Sequence, residues 1–235
     1  MKKFELTSES IVNIFGKKLF RIKALIEFGN VKEGELGGFV EKEENLSHEG
    51  NAWVYGNAEV CGNAKVCENA RVFDNAWVFD NARVFGNASV SGNASVSGNA
   101  RVFDNAWVFD NARVFDNASV SGNARVFDNA RVFGNARVFG NASVSGNAEV
   151  SGDAEVCGDA KISEDADYTT VKGFGTECRT TTFFKCKDGI LRVRCGCFYG
   201  DLEEFRNQVK NTRKGKIAEE YLMIADLMEK HFKEE

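Results

Sequence analysis

The sequence contains no proline and only two histidines among 235 residues. No apolar run approaches the roughly 20 residues that a transmembrane helix needs, and none follows the first lysines, so we expect neither a membrane span nor a signal peptide. Basic side chains are fewer than acidic ones, with 30 Lys and Arg against 35 Asp and Glu. Because general nucleic-acid binders are usually basic, this balance argues against that class.

The seven cysteines have no spacing typical of a disulfide framework. Cys178, Cys186, Cys195 and Cys197 lie close together in the sequence, but their one short spacing is Cys-x-Cys, whereas zinc sites usually contain C-x₂₋₄-C pairs. We therefore predict reduced thiols in a cytoplasmic protein, with no metal and no cofactor.

Glycine and phenylalanine are abundant, with 23 and 20 copies, and this skew indicates a repeat. Residues 51–166 follow one six-residue order: Asn, Ala, variable, Val, variable, then Gly, Asp or Glu. Ala keeps its position twenty times, and an aliphatic residue keeps its position nineteen times, from Val54 to Ile162. Asn keeps its position to Asn147 and then gives way to Asp153, Asp159 and Asp165.

The period of six predicts short strands joined by corners. Ala and Val are two residues apart, so both face one side of a strand. The Gly-Asn or Asp-Asn pair that follows is turn chemistry, because these residues tolerate left-handed backbone conformations. A coil of parallel strands with one apolar side facing inward satisfies both requirements.

This pattern, with Val54 followed four positions later by the small Ala58, resembles the hexapeptide-repeat proteins. The resemblance implies a mainly β fold, a left-handed parallel β-helix in which three hexapeptides form each triangular coil. Residues 51–166 would then supply a little over six coils, roughly 30 Å long at ~4.8 Å per coil. We expect the corner Asn side chains to stack in amide ladders.

The flanking segments are predicted as two further units. Residues 1–50 form an N-terminal β cap, with strands at 4–6 and 19–28 and a glycine-containing loop at 34–44. Residues 167–235 form a small α+β module, with a β-hairpin (180–187 and 190–197) and helices at 201–211 and 217–232. The leader, with Gly37-Gly38-Phe39-Val40-Glu41, resembles that of phage- and prophage-associated hexapeptide-repeat proteins, whose uncharacterised members are often labelled acyltransferases.

The variable positions of the repeat point outward. Nine of them carry phenylalanine: Phe73, Phe79, Phe85, Phe103, Phe109, Phe115, Phe127, Phe133 and Phe139. Counting by eighteen places three on each face, and two interpretations stay open: the rings pack over corners and neighbouring coils, or they form a partner surface. We expect corner Asp to pair with outward Arg, and Cys61, Cys67 and Cys157 to be outward repeat variants.

Two sets of residues are candidates for binding. Arg192 and Arg194 alternate onto one strand face and are followed by Phe198 and Tyr199, a set suited to an anionic ligand or an acidic partner. The second set consists of the outward tryptophans Trp53, Trp77 and Trp107.

Three functions remain open. The preferred one is a non-enzymatic phage-type interaction protein that binds a host protein in the host cytoplasm and inhibits a defence factor. The second is a sponge for an anionic, cyclic nucleotide. The third is an acyltransferase, although His48 precedes the first repeat and no loop interrupts the coils, whereas such enzymes use a His base and an inserted loop. We also expect a homo-oligomer, with trimers common among similar proteins.

Overall fold

A computed structural model describes residues 1–233. Its N-terminal strands are β1 (Phe4–Val12), β2 (Lys18–Ala24) and β3 (Leu36–Val40), which pair antiparallel in that order. A short 3₁₀ helix, Glu43–Asn45, leads into the repeat. The segment predicted as a loop at 34–44 thus contains β3, which pairs in parallel with the first strand of one face of the repeat.

Nineteen two-residue strands form a three-sided rod, residues 53–162. Face 1 contains Trp53–Val54, Arg71–Val72, Ser89–Val90, Trp107–Val108, Arg125–Val126, Ser143–Val144 and Lys161–Ile162. Face 2 contains Glu59–Val60, Trp77–Val78, Ser95–Val96, Arg113–Val114, Arg131–Val132 and Glu149–Val150. Face 3 contains Lys65–Val66, Arg83–Val84, Arg101–Val102, Ser119–Val120, Arg137–Val138 and Glu155–Val156. In chain order these strands are β4 to β22.

The aliphatic positions and the alanines form the core of the rod. Every Val and Ala of the repeat from Ala52 to Ile162 is fully buried. Each strand pairs in parallel with the strand eighteen residues later, as Val90 does with Val108. This confirms the predicted parallel β-helix. The last Ala of the sequence pattern, Ala166, is exposed because the chain leaves the rod in a 3₁₀ helix, Asp165–Asp167.

Amide ladders run along all three corners, as predicted. Asn105 Nδ2 donates to Asn123 Oδ1 at 3.1 Å, and the same bond recurs every eighteen residues. Two ladders end on a carboxylate: Asn135 donates to Asp153 and Asn141 to Asp159. The last member of a ladder only accepts, which explains why Asp replaces Asn there.

The predicted pairing of corner Asp with outward Arg is wrong for the described residues. Corner Asp residues adopt positive φ, and where the next coil has a glycine at this position their carboxylates accept its backbone N–H, as Asp104 Oδ2 does from Gly122 at 3.1 Å. The outward Arg ion pairs within the rod are made instead with strand carboxylates, Glu149 and Glu155.

The C-terminal module consists of a four-stranded antiparallel sheet and two helices. The strands are β23 (Tyr168–Phe174), β24 (Arg179–Lys185), β25 (Leu191–Cys195) and β26 (Phe198–Asp201), in that spatial order. The helices are α1 (Leu202–Thr212) and α2 (Gly215–His231). The predicted hairpin is β24 and β25, and the predicted helices are present. Within residues 1–233, no helix is long and apolar enough to cross a bilayer.

The two ends of the rod have opposite hydrogen-bonding needs. In each hexapeptide the N–H groups of Asn, of the first strand residue and of the residue after Val donate to carbonyls of the following coil, as those of Asn105, Trp107 and Phe109 do. At these positions the N-terminal end of the rod leaves carbonyls and the C-terminal end leaves N–H groups. Lys3 Nζ donates to Ala52 O at 2.9 Å, and Asn45 Nδ2 donates to Ala64 O at 2.9 Å. At the other end, Glu149 N donates to Asp165 Oδ1 at 2.7 Å, and Glu155 N donates to Thr182 Oγ1 at 3.0 Å.

Candidate binding surface

The outward phenylalanines stack along the rod. Their rings lie 4.9 to 5.0 Å apart and within 3° of parallel in three pairs: Phe85–Phe103, Phe109–Phe127 and Phe115–Phe133. The three-per-face distribution is confirmed by the strand order. All nine are half-buried, which supports packing over neighbouring coils; self-association stays a prediction.

Arginines lie over several of these rings. The Arg131 guanidinium carbon is 5.5 Å from the centres of both Phe115 and Phe133, and Arg101 has the same relation to Phe85 and Phe103. Arg131 also pairs with Glu149 of the next coil. The planar guanidinium groups therefore cover the stacked rings through cation–π contacts.

The three tryptophans have different environments. The expectation that Trp53 is outward and available is wrong: its side chain is 0 % exposed because Phe4 and Phe28 of the N-terminal cap pack against it. Trp77 is half-buried on face 2, and Trp107 is 46 % exposed on face 1. Trp77 and Trp107 therefore remain surface candidates.

The predicted C-terminal set is divided between two sides of the sheet. Arg194 and Tyr199 are opposite each other in register and face the rod, where Arg194 Nε donates to Glu155 Oε2 at 2.9 Å. Arg192 faces the same way and pairs with Asp188 at 2.8 Å. Phe198 lies on the other side and packs on Phe205 beneath the helices. These four residues thus do not form one site, and Arg194 serves the junction of rod and module.

The cysteine expectation needs a similar correction. Cys61 and Cys157 occupy outward repeat positions, yet both are buried because the N-terminal cap covers the first and the C-terminal module the second. Burial raises the pKa of Cys157 to about 12 and of Cys186 to about 11. Among residues 1–233, no group of three or more His, Cys, Asp or Glu side chains is placed to hold a metal ion.

His48 and the glycine pair belong to the N-terminal cap. The Lys3 N–H donates to His48 Nδ1 at 3.1 Å, the other ring nitrogen lies 2.7 Å from Glu43 Oε1, and the ring stacks on Phe4. A Cβ on Gly37 would lie 2.5 Å from Val54 O, so glycine lets β3 rest directly on the first coil. Both features are explained by packing.

A groove on face 2 combines aromatic walls with both signs of charge. The tip of the β1–β2 hairpin places Phe15 against Phe79 at 5.1 Å and Trp77 at 6.0 Å, and Phe15 remains 51 % exposed. The next coil carries only Ser95 and Ser97, so the surface is recessed there.

The groove continues to the following coils as a second recess. Arg113 and Phe115 form its far side, and Arg131 lies beyond them. Asp80 and Asp116 line the corner edge, with Asp80 Oδ2 accepting the Gly98 N–H at 3.2 Å. We name the surface that extends from Ile14 at the hairpin tip, across Ser95 and Ser97, to Arg131 the face 2 groove. Two arginines and two aspartates line it, so it suits a partner that carries both charges.

Sequence reasoning identified Trp77 but not Ser97 or Phe15. The signal for Ser97 is present in the sequence: counting by eighteen, Ser-Val-Ser at 95–97 falls between Trp-Val-Phe at 77–79 and Arg-Val-Phe at 113–115. No pattern shows that the tip at Phe15 reaches Trp77, because that contact joins a non-repeating hairpin to the rod.

A separate recess lies in the C-terminal module. Phe198, Phe205 and Val209 line its apolar floor, and Arg179 and Arg213 lie at its rim. Burial raises the pKa of Tyr221, which donates to Phe174 O at 3.1 Å from this recess. Its apolar lining is continuous with the packing of the module's own helices.

Comparison with known families supports the repeat architecture. The YdcK beta solenoid repeat matches residues 94–109 and 130–146, both within the rod. The chain is therefore similar to a β-solenoid repeat protein over part of the rod. No curated protein matches the sequence.

Proposed function

We propose that this protein is a non-enzymatic binding protein whose rod presents the face 2 groove to a partner protein. The observation that carries the proposal is the exposed tip of the β1–β2 hairpin, where Ile14 and Phe15 stand beside Trp77 on a recessed face. Exposed apolar side chains next to a recess are typical of interaction sites. The uninterrupted hydrogen-bonded coils keep this surface rigid, which lowers the entropy cost of binding.

We infer the setting of the partner from the leader. Its resemblance to leaders of phage and prophage hexapeptide-repeat proteins supports a partner in an infected bacterium. A host defence protein is therefore the first partner to test. The mixed charge of the groove, with Arg113 and Asp116 on one hexapeptide, favours a protein surface that itself carries both charges.

Capture from a lysate of phage-infected bacteria tests this function. The wild type is compared with the double variant Ile14→Ser/Phe15→Ser, and Trp107→Ser on face 1 is the matched control. We expect the wild type and the control to retain one lysate protein, and the double variant to retain at least tenfold less of it. We also expect the purified wild type to bind that protein in calorimetry. Equal retention by all three proteins would contradict the proposal.

A second candidate, sequestration of an anionic nucleotide, is favoured by the arginines stacked on phenylalanine pairs. Such platforms bind bases by stacking. Mass spectrometry of small molecules released by denaturing the purified protein separates the two. A stoichiometric nucleotide would replace the protein partner as the ligand.

A further inference from the structure

The outward phenylalanines form columns along each face, and the column on face 2 has a gap. Its members at successive coils are Phe79, Ser97, Phe115 and Phe133. Where the column is continuous, the rings of Phe115 and Phe133 lie 4.9 Å apart. Phe79 and Phe115 are two coils apart, roughly 9.6 Å at the usual strand spacing. Ser97 thus leaves a space one aromatic ring thick, which we name the Ser97 slot.

We propose that the Ser97 slot receives one aromatic side chain of a partner protein, which completes the ring stack between Phe79 and Phe115. This inference rests on the proposed function and specifies its partner chemistry. A ring inserted midway faces each wall at about 4.8 Å, within the range of offset-stacked pairs. The serine hydroxyls at the floor give a Trp N–H or a Tyr O–H a hydrogen-bonding partner.

Arg113 is placed to cover the inserted ring. Arg131 lies two residues before Phe133 and covers the Phe115–Phe133 pair. Arg113 lies two residues before Phe115 and has the same relation to Phe115 and the slot. In the part of the chain that the structure describes, the Arg113 guanidinium lies over no aromatic ring. A ring in the slot supplies the missing member of that arrangement.

The equivalent gaps on the other two faces have different neighbours. On face 1 the gap at Ser91 adjoins Ser89, which is only 3 % exposed and accepts a 3.4 Å hydrogen bond from Arg71. On face 3 the gap at Ser121 is followed by Phe139, which Arg137 and Arg194 both cover. On face 2 the gap is an open cavity of about 310 Å³.

The charges around the slot favour a protein side chain over a nucleotide. Asp80 and Asp116 line the corner edge, where a phosphate would be repelled. Arg131 is already paired with Glu149, which leaves Arg113 as the arginine of the slot without an ion-pair partner in residues 1–233. The adjoining apolar recess beside Phe15 also offers space for a second side chain of the same polypeptide.

Fluorinated ring probes test the slot without a known partner. 5-Fluoroindole and 4-fluorophenol, the ring systems of Trp and Tyr, are titrated against the full chain by ¹⁹F NMR. Ser97→Phe fills the slot with a residue that the repeat already uses at this position, and Ser121→Phe is the matched control on face 3. We expect at least tenfold weaker binding by Ser97→Phe and unchanged binding by Ser121→Phe.

Phe115→Ser is a second variant, which removes one wall and introduces a residue that the repeat also accepts. We expect it to weaken binding of both probes, so the test stands even if Ser97→Phe does not fold. Binding that is equal in all variants would overturn the proposal. So would Ser97-dependent binding of 5-fluorouridine 5′-monophosphate that is tighter than that of 5-fluoroindole.

The two proposals fail in different ways. If the ring probes bind independently of Ser97 while Ile14→Ser/Phe15→Ser still loses the captured protein, the slot is wrong and the binding function stands. If no protein depends on the hairpin tip and a nucleotide is released instead, the protein-binding function is wrong, and the slot proposal falls with it.

Discussion

A single lysine satisfies the first carbonyls of the rod. Lys3 is 1 % exposed, and its ammonium group donates to Ala52 O at 2.9 Å and Gly50 O at 3.3 Å while lying over the Phe28 ring. Burial lowers its pKa to about 8. A charged group is thus retained in a buried place because no preceding coil supplies N–H donors there.

The lowered pKa of Lys3 gives stability a defined pH dependence. Between pH 8 and about 10.5 the unfolded chain holds this proton and the folded chain has lost it, so the free energy of unfolding rises with pH. Relative to Lys3→Met, we expect the free energy of unfolding of the wild type to rise by up to about 3 kcal/mol across that range. The neutral amine of Lys3 still donates hydrogen bonds, so its contacts with the carbonyls are kept. Urea unfolding of both proteins at pH 7, 8, 9 and 10 measures the difference. A constant difference would exclude burial of a titrating ammonium.

At the scale of the element, the amide ladders are directional. Each Asn donates towards the C-terminal end and accepts from the N-terminal side, so an interior member needs both functions and the last member needs one. This difference predicts that exchange of Asn and Asp costs more at an interior position of a ladder than at its last position.

Asn105→Asp removes the donor to Asn123, and we expect a loss of about 1 kcal/mol in the free energy of unfolding. Asp159→Asn keeps the oxygen that accepts from Asn141 and is expected to change stability by less than half as much. Thermal melts of both variants at pH 7 give the comparison. Equal losses of stability would contradict the donor-to-acceptor direction of the ladders.

The junction of rod and module protects two thiols. Cys157 and Cys186 are buried there, whereas Cys178 and Cys197 are exposed. With a disulfide reagent at pH 8 we expect the exposed pair to react quickly and the buried pair to react only on unfolding, since the thiolate is the reactive form.

Arg194→Ala removes the bond to Glu155 and the contact with Phe139. We expect it to open the junction and to accelerate reaction of Cys157 at least tenfold, because loss of burial, the main cause of the raised pKa, outweighs loss of the Arg194 charge, which lowers that pKa. Arg206→Ala, which breaks ion pairs with Asp226 and Glu229 inside the module, is the control and should leave that rate unchanged. Mass spectrometry of labelled peptides identifies each thiol.

The rod was predictable and its contacts with the ends were not. Val108, Ala106 and their equivalents in the other coils are all buried, because each coil gives these positions the same neighbours. Trp53 and Trp107 occupy the same repeat position, yet the first is covered and the second exposed. Which tryptophan is covered depends on where the hairpin of residues 4–24 packs on the rod. That segment has no sequence repeat from which its position could be predicted. The face 2 groove depends on the same hairpin.

At the scale of the whole molecule, coil number sets the separation and orientation of the two ends. Deleting residues 135–152, which lie beyond the face 2 groove, removes one coil and keeps the faces in register, whereas deleting 135–140 turns the C-terminal module by one face. Both variants should fold, because each hexapeptide is a near-equivalent unit. Circular dichroism and melting measure folding, and the infected-lysate capture measures function.

The outcome of that pair locates the partner. If the partner contacts both the face 2 groove and the module, we expect the six-residue deletion alone to lose it. Retention by both variants would confine the contact to the N-terminal half of the rod. Unfolding of the six-residue variant alone would contradict the equivalence of the hexapeptides.

The opposite polarity of the two rod ends has a consequence for assembly. The carbonyl row that Lys3 and Asn45 cover is complementary to the N–H row that Asp165 and Thr182 cover. A rod without either cap would therefore offer its tail to the head of the next, and the coil could continue from chain to chain as a fibre. The unrelated segments at the two ends are what make a potentially endless polymer a finite particle.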